Sequence, residues 1–300
     1  MFDADPRWGS DPREREDDTR DRDAVDPRDA DPRHVFANKL DLPRGPEREL
    51  VRDRDREYSL RGSESRTLSI VGAFRVVSSR DLRDHDNRTV DPRRGDLRNL
   101  RDQFLVRTVP LPGHRDHAVV LTDRGRHLLE SHRRDRDGSR DHSQVFYAEL
   151  KKPREVEHDA QIYRAYERDA GRLHERGARV ERVLLDYELK REYQQFLQER
   201  NRGRADSDGR PDRDKSEIRD WATEHDLPYS DGHVQFPDAR IEYVDVDGRL
   251  DHLDIEVVTL HYRGAHGAAA SRSGFSTFRG SSARTGSSPF DPAYADEVFR

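Results

Sequence analysis

The sequence predicts an α+β protein with two folded parts and disordered tails. Residues 64–134 show apolar helical spacing, then a strand pair, then another helix. Residues 151–275 show a helix, a strand of buried type and a second strand pair. Hydrophobic residues make up only 31% of the 300 residues and charged residues make up 39%, so part of the chain cannot join a core. We therefore expect tails at residues 1–57 and 276–300 and a linker at residues 135–150.

The first 57 residues have the composition of a disordered acidic tail. The tripeptide DPR begins at Asp5, Asp11, Asp26 and Asp31, and the net charge of residues 1–57 is -5. Frequent proline blocks helix and sheet, and few apolar groups are present to offset the entropy of ordering. Within this tail, the segment around Phe36 and Leu40 is the candidate docking peptide.

Residues 58–134 predict three helices, a β-hairpin and a last helix. The first helix carries apolar residues on one face: Leu68, Ile70, Val71, Phe74 and Val77. Ser78 and Ser79 are good N-cap residues for a short second helix. Asp96 is the expected cap of a third helix, which turns four apolar residues inward (Leu97, Leu100, Phe104 and Leu105). Alternating residues around Pro112 and Gly113 predict two strands, and the last helix starts at Thr122. This order is that of a winged helix-turn-helix.

The charge distribution favours nucleic acid as the partner of this segment. Residues 58–134 hold 16 basic and 10 acidic residues, a net charge of +6, whereas residues 135–300 carry -7. Basic groups on a surface neutralise phosphates and release condensed counterions. Arg98 and Arg101 are expected to face the major groove of duplex DNA. The expected phosphate contacts are Arg93, Arg94, Arg107 and Arg115.

The run from Asp96 to Arg107 and the motif Leu121-Thr122-x-x-Gly125 resemble the recognition helix, wing and closing turn of bacterial winged-helix proteins. Among these, the segment is most similar to the N-terminal part of the replication-relaxation family of actinobacterial mobile elements. The resemblance implies a plasmid or mobile-element replication factor that binds double-stranded DNA and assembles with replication proteins or with itself.

Residues 151–275 predict a second α/β unit. A helix runs from Pro153 to Gly177, a strand follows over residues 178–189, and two helices flank a polar loop. Two strands, 239–246 and 252–259, are joined through Asp247-Gly248, a pair that favours tight hairpins. Alternation places Asp254 and Glu256 on one face of the second strand. A further helix is expected near Tyr262.

Acidic residues in this second unit are candidates for metal-dependent hydrolysis. Asp238 precedes the first strand of the hairpin, and Asp238 with Glu256 is the expected ligand pair for Mg²⁺. The order of elements resembles the PD-(D/E)xK nuclease fold, a restriction-endonuclease-like architecture. That resemblance implies Asp238, Asp254 and Glu256 as catalytic carboxylates and a lysine two positions after the last carboxylate. Glu256 or Val258 stands there instead, so the cation would have to come from Lys190, Arg263 or Arg272.

The sequence leaves several alternatives open. The carboxylates can form a solvated strand face, or a metal site without activity. Zinc held by His252, His261 and His266 lacks the close ligand spacing of zinc sites. The protein can be a DNA-binding replication factor with an inactive nuclease-like domain, a Mg²⁺-dependent DNA-nicking enzyme, or a winged-helix protein-docking module or transcriptional regulator.

Cellular location is predicted from what the sequence lacks. No cysteine, apolar signal segment or membrane-length apolar run is evident, so we expect a cytoplasmic protein without a membrane partner.

Overall fold

The computed structural model describes residues 35–111, 115–134, 143–150, 155–204, 211–258 and 273–279. Its elements confirm a mixed α+β protein. The first part contains α1 (Val35–Asn38), β1 (Glu49–Asp53), β2 (Arg56–Leu60), α2 (Gly62–Phe74), β3 (Val77–Ser78), a 3-10 turn (Ser79–Asp81), α3 (Gly95–Asp102), β4 (Val106–Pro110), β5 (His117–Leu121) and α4 (Asp123–Ser131). The second part contains α5 (Val156–Glu175), β6 (Arg179–Leu185), α6 (Asp186–Gln198), a 3-10 turn (Glu199–Asn201), α7 (Lys215–Glu224), β7 (Tyr229–Ser230), β8 (His233–Val234), β9 (Ala239–Val244), β10 (Leu250–Val258) and β11 (Ser276–Arg279).

Residues 35–57 are folded, so the predicted disorder up to residue 57 is wrong for this stretch. Phe36 and Leu40 are buried, and β1 pairs with β2 as an antiparallel hairpin. The Phe36 ring lies 5.6 Å from the rings of both Phe74 and Tyr166. The candidate docking peptide therefore packs against its own chain, because its few apolar side chains are buried in a core formed by residues that are distant in sequence. Residues 1–34 lie outside the described residues.

The predicted helices of the first part are confirmed except for the second. The first helix ends at Phe74, and Val77 belongs to β3. The segment after Ser78 forms a single 3-10 turn, because the chain becomes extended again at Leu82. The third helix begins at Gly95 with Arg94 as its N-cap residue. Asp96 is not the cap: its buried carboxylate accepts hydrogen bonds from Ser63 Oγ at 2.6 Å and from Arg61.

The predicted β-hairpin is confirmed, and it joins a three-stranded antiparallel sheet in the order β3-β5-β4. Thr122 caps α4 by accepting a hydrogen bond from the Gly125 N–H at 3.1 Å. A Cβ at Gly125 would lie 2.2 Å from the Leu105 carbonyl oxygen. The spacing of Thr122 and Gly125 therefore reflects close packing of the start of α4 against the turn between α3 and β4.

The second part is built on a four-stranded sheet in the order β11-β10-β9-β6. Strands β6, β9 and β10 are antiparallel, and β11 runs parallel to β10. The strand predicted over 178–189 stops at Leu185, where α6 begins. Residues 276–279, at the start of the predicted flexible tail, form β11. The helix predicted near Tyr262 lies outside the described residues, as do residues 280–300.

The two parts share one hydrophobic core. Phe74 of α2 contacts Tyr163 and Tyr166 of α5, with ring centroids 5.0 and 4.8 Å apart. The stretch 143–150, which belongs to the predicted linker, contributes the buried Phe146. The side chain of Gln144 donates to Val183 O at 2.9 Å and accepts from Val183 N at 2.8 Å. This amide occupies the outer edge of β6, so residues 143–150 are held against the sheet.

No helix in the described ranges is both long enough and apolar enough to cross a membrane.

Candidate nucleic-acid interface and carboxylate positions

Helix α3 presents arginines to solvent because its apolar residues face the core. Leu97 and Leu100, three residues apart, are fully buried. Arg98 and Arg101 lie on the opposite side and are exposed, as the helical spacing predicts. The N-cap residue Arg94 and the preceding Arg93 are exposed as well. Four guanidinium groups therefore lie at or just before this one short helix.

The six predicted DNA-contacting arginines differ in how far their charge is already compensated. Within the described residues, Arg93, Arg94 and Arg115 make no ion pair. Arg101 donates to the carbonyl oxygen of Pro92 at 2.7 Å, which leaves its charge uncompensated.

Arg98 and Arg107 have carboxylate partners. The Arg98 Nε lies 3.4 Å from Asp102 Oδ2, and about two thirds of both side chains is exposed. Such an exposed pair contributes only about 0–1 kcal/mol, so a phosphate can replace Asp102. Arg107 pairs more closely with Glu149, at 2.8 Å. Arg107 is therefore the least suited of the six to bind a phosphate.

Phe104 points outward, so its predicted inward position is wrong. Its side chain is 64% exposed and its backbone φ is +59°, a left-handed value that is uncommon for an aromatic residue. Helix α3 has already ended at Asp102, and Leu105 fills the core instead. Thr122 Oγ1 donates to the Phe104 carbonyl oxygen at 2.6 Å and holds this turn. The Arg124 guanidinium lies 5.2 Å from the ring centroid, which adds an aromatic–arginine pair that sequence reasoning missed.

Asp254 is held in a buried ion pair. Its two carboxylate oxygens accept from Arg240 Nε at 2.7 Å and Arg240 Nη2 at 2.9 Å. Arg240 also donates to the carbonyl oxygens of His225 and Asp226. Less than a tenth of either side chain in the pair is exposed. Asp254 cannot bind a metal without leaving a buried guanidinium unpaired, which is costly.

The negative charge of the Asp238 carboxylate is compensated by a histidine. Its Oδ2 accepts from the Val257 N–H at 2.7 Å and lies 3.3 Å from His158 Nε2. Burial opposes the charged form of His158, but hydrogen bonds to Asp159 and Asp238 outweigh this effect and raise the pKa of His158 to about 10. Asp159 in turn pairs with Arg75 of the first part at 3.1 Å. Sequence reasoning missed His158 and Arg75 because their contacts are distant along the chain.

The other predicted members of the catalytic group do not complete a metal site. Lys190 pairs with Asp186 on its own helix at 2.8 Å. Glu256 is buried. Among the described residues, the carboxylate oxygens of Asp238, Asp254 and Glu256 do not all lie within 4.8 Å of one another. The one group of three possible ligands that meets this distance in the described ranges is Asp84, His85 and Asp86, in an exposed loop. Arg263, Arg272, His261 and His266 lie outside the described residues. The three expected carboxylates therefore do not form one metal site among the described residues, and Mg²⁺ binding by the pair Asp238 and Glu256 stays a prediction.

Glu188, in the first turn of α6, is a further buried carboxylate. It was not predicted as a site residue from the sequence. Burial, aided by the negative charges of Glu192 and Glu242, raises the pKa of Glu188 to about 8, although Arg191 and a backbone hydrogen bond at Leu185 oppose the shift. Its Oε1 has no hydrogen-bond partner in the described chain. Sequence reasoning missed it because Glu188 falls within the strand predicted over residues 178–189.

Comparisons of the chain with protein-family models, curated proteins and solved structures found no match. Membership of the replication-relaxation family therefore stays a prediction from the sequence motifs.

Proposed function

We propose that residues 58–134 form a winged helix-turn-helix that binds duplex DNA. In this proposal α3 is the recognition helix and the β4–β5 hairpin is the wing. The element order, the β3-β5-β4 sheet and the net charge of +6 over residues 58–134 support this assignment. The observation that carries it is the set of exposed arginines without a carboxylate partner in the described chain, Arg93, Arg94 and Arg115, beside the outward Arg98 and Arg101.

The second part is proposed to act as a nuclease-like scaffold rather than as an enzyme. Helix α5 and a sheet of three antiparallel strands with a parallel fourth strand support an architecture of the restriction-endonuclease type. The ion pair of Asp254 with Arg240 and the contact of Asp238 with His158 argue against hydrolysis assisted by Mg²⁺. The scaffold would position the DNA-binding module for self-assembly or for a replication protein, consistent with the family resemblance of the motifs.

Duplex binding by the full chain tests the first part of the proposal. The measurement is fluorescence anisotropy of a labelled DNA duplex at fixed ionic strength. Replacing Arg93 and Arg94 by Ala should weaken binding about tenfold or more, because fewer phosphates are neutralised and fewer counterions are released. The matched control replaces Arg172 and Arg179, which are exposed, already paired with carboxylates and located in the second part. Equal losses of affinity in both double variants would reject α3 and its preceding loop as the DNA-binding surface.

Incubation of the full chain with supercoiled plasmid and Mg²⁺ or Mn²⁺ tests the proposal that the nuclease-like unit is inactive. We expect no nicking above the level of an Asp238→Ala variant. Nicking by the wild type that disappears in an Asp238→Ala variant with an unchanged circular dichroism spectrum and melting temperature would overturn the scaffold assignment and establish the enzyme.

A further inference from the structure

A cleft of about 490 Å³ opens beside the β4–β5 hairpin. Its walls are the 3-10 turn after β3, the loop 89–93 that leads into α3, and residues 115–117 at the start of β5. The cleft is larger than an inorganic phosphate requires, and it falls within the size range of small-ligand sites, about 300–1,000 Å³.

Three guanidinium groups line this cleft: Arg80, Arg93 and Arg115. Two carboxylates are also present, but both are engaged. Asp91 Oδ1 accepts from the Arg93 backbone N–H at 2.8 Å, and Asp116 Oδ2 lies 3.5 Å from Arg80 Nε. Arg93 and Arg115 have no carboxylate partner anywhere in the described ranges. Three arginines against two carboxylates leave a net charge of +1 among the side chains that line the cleft, which favours an anionic ligand.

His117 forms part of one wall of the cleft. The backbone N–H of His117 donates to Ser79 Oγ at 3.3 Å, which fixes the start of β5 beside the 3-10 turn. Arginine forks match the oxygens of a phosphate in paired hydrogen bonds.

We propose that this cleft binds a phosphate group on a nucleotide-sized ligand, with Arg93 and Arg115 as the principal phosphate contacts and Arg80 at the rim. The phosphate can belong to a free nucleoside monophosphate or to the end of a DNA strand. The second source rests on the proposed DNA-binding function, whereas the first does not.

Calorimetric titration of the full chain with thymidine 5′-monophosphate, with thymidine as the control ligand, tests the free-nucleotide source. Anisotropy with duplexes that carry a 5′-phosphate or a 5′-hydroxyl tests the DNA-end source. We expect either binding of the monophosphate but not the nucleoside, or tighter binding of the phosphorylated duplex. Replacing Arg93 and Arg115 by Ala should reduce that preference at least tenfold.

Arg98→Ala is the matched variant, because Arg98 is exposed on α3 and does not line the cleft. It should weaken both duplexes equally and leave the preference for phosphate unchanged. A circular dichroism spectrum and melting temperature equal to those of the wild type establish that the variants fold, and Arg93→Lys with Arg115→Lys should recover part of the preference. Equal binding of phosphorylated and unphosphorylated ligands by the wild type would overturn the inference. Duplex binding that stays sensitive to Arg98→Ala would then leave the proposed function standing.

Discussion

The arginines around α3 and the carboxylates of the second sheet are both charged residues singled out by the sequence, but their surroundings differ. Arg93, Arg94 and Arg115 are exposed and have no carboxylate partner in the described chain. Asp254 is buried against Arg240, and Asp238 contacts His158. Charge without a partner is available for a ligand, whereas charge that is already paired stabilises the fold. We therefore propose binding for the first part and a structural role for these two carboxylates.

The largest expected effect is the loss of the buried ion pair in the second part. Asp254→Ala should lower the free energy of unfolding by about 3–5 kcal/mol, because it leaves the Arg240 guanidinium buried and unpaired. The measurement is urea unfolding followed by circular dichroism. Asp220→Ala is the control: Asp220 is exposed on α7 and forms no ion pair with another described residue, so its replacement should change stability by less than about 0.5 kcal/mol. An unchanged or raised stability in Asp254→Ala would indicate a carboxylate kept for function rather than for the fold.

The contact of His158 with Asp159 and Asp238 should make stability depend on pH. The pKa of His158 is raised from 6.5 to about 10, so the folded protein retains a proton that the unfolded chain releases. This stabilisation is fully present below pH 6.5 and is lost as the pH rises through 10. His158→Gln should therefore cost on the order of 3 kcal/mol at pH 6 and almost nothing above pH 10. Urea unfolding of the wild type and of His158→Gln at pH 6 and above pH 10 measures this difference in the free energy of unfolding. The control variant is His233→Gln, because His233 is exposed. A cost independent of pH would contradict a charged His158.

Glu188 is a buried carboxylate whose negative charge is poorly compensated, unlike the charges of Asp254 and Asp238. Its pKa is raised from 4.5 to about 8, so ionisation destabilises the folded state; the penalty is absent below pH 4.5 and complete above pH 8. Glu188→Gln should raise the free energy of unfolding at pH 9 by on the order of 2 kcal/mol and have little effect at pH 4. Glu224→Gln, an exposed glutamate on α7, serves as the control in the same unfolding series. Destabilisation by Glu188→Gln at pH 9 would show that the ionised carboxylate has a stabilising partner.

Local patterns predict much of the fold. Apolar spacing predicts α2, α3 and α4, and alternation with turn residues predicts the β4–β5 and β9–β10 hairpins. The partner of Asp254 depends on the length of the hairpin turn. A two-residue turn at Asp247-Gly248, the turn that the sequence predicts, would pair Val246 with Arg249 and place Ile241 opposite Asp254. The observed register is shifted by one residue and places Arg240 opposite Asp254, so the ion pair could not be predicted from this turn.

Other features depend on contacts between distant residues and could not be predicted from the sequence. Phe36 is buried only because Phe74 and Tyr166 lie next to it in the fold. Asp238 is compensated by His158, which precedes it by 80 positions along the chain. Phe104 continues the helical spacing of Leu97 and Leu100, which predicts an inward side chain, but α3 ends two residues before it. The average composition of residues 1–57 also conceals the few apolar side chains that order residues 35–57.

The salt dependence of duplex binding tests the central claim most directly. We predict that the logarithm of the association constant falls linearly with the logarithm of salt concentration. Replacing Arg93, Arg94 and Arg115 together by Ala should make that slope less steep by about 0.9 for each phosphate that is no longer neutralised, while replacing Arg172 and Arg179 leaves it unchanged. An identical slope for the wild type and the triple variant, or duplex binding that does not respond to salt, would contradict the assignment of these uncompensated arginines to DNA.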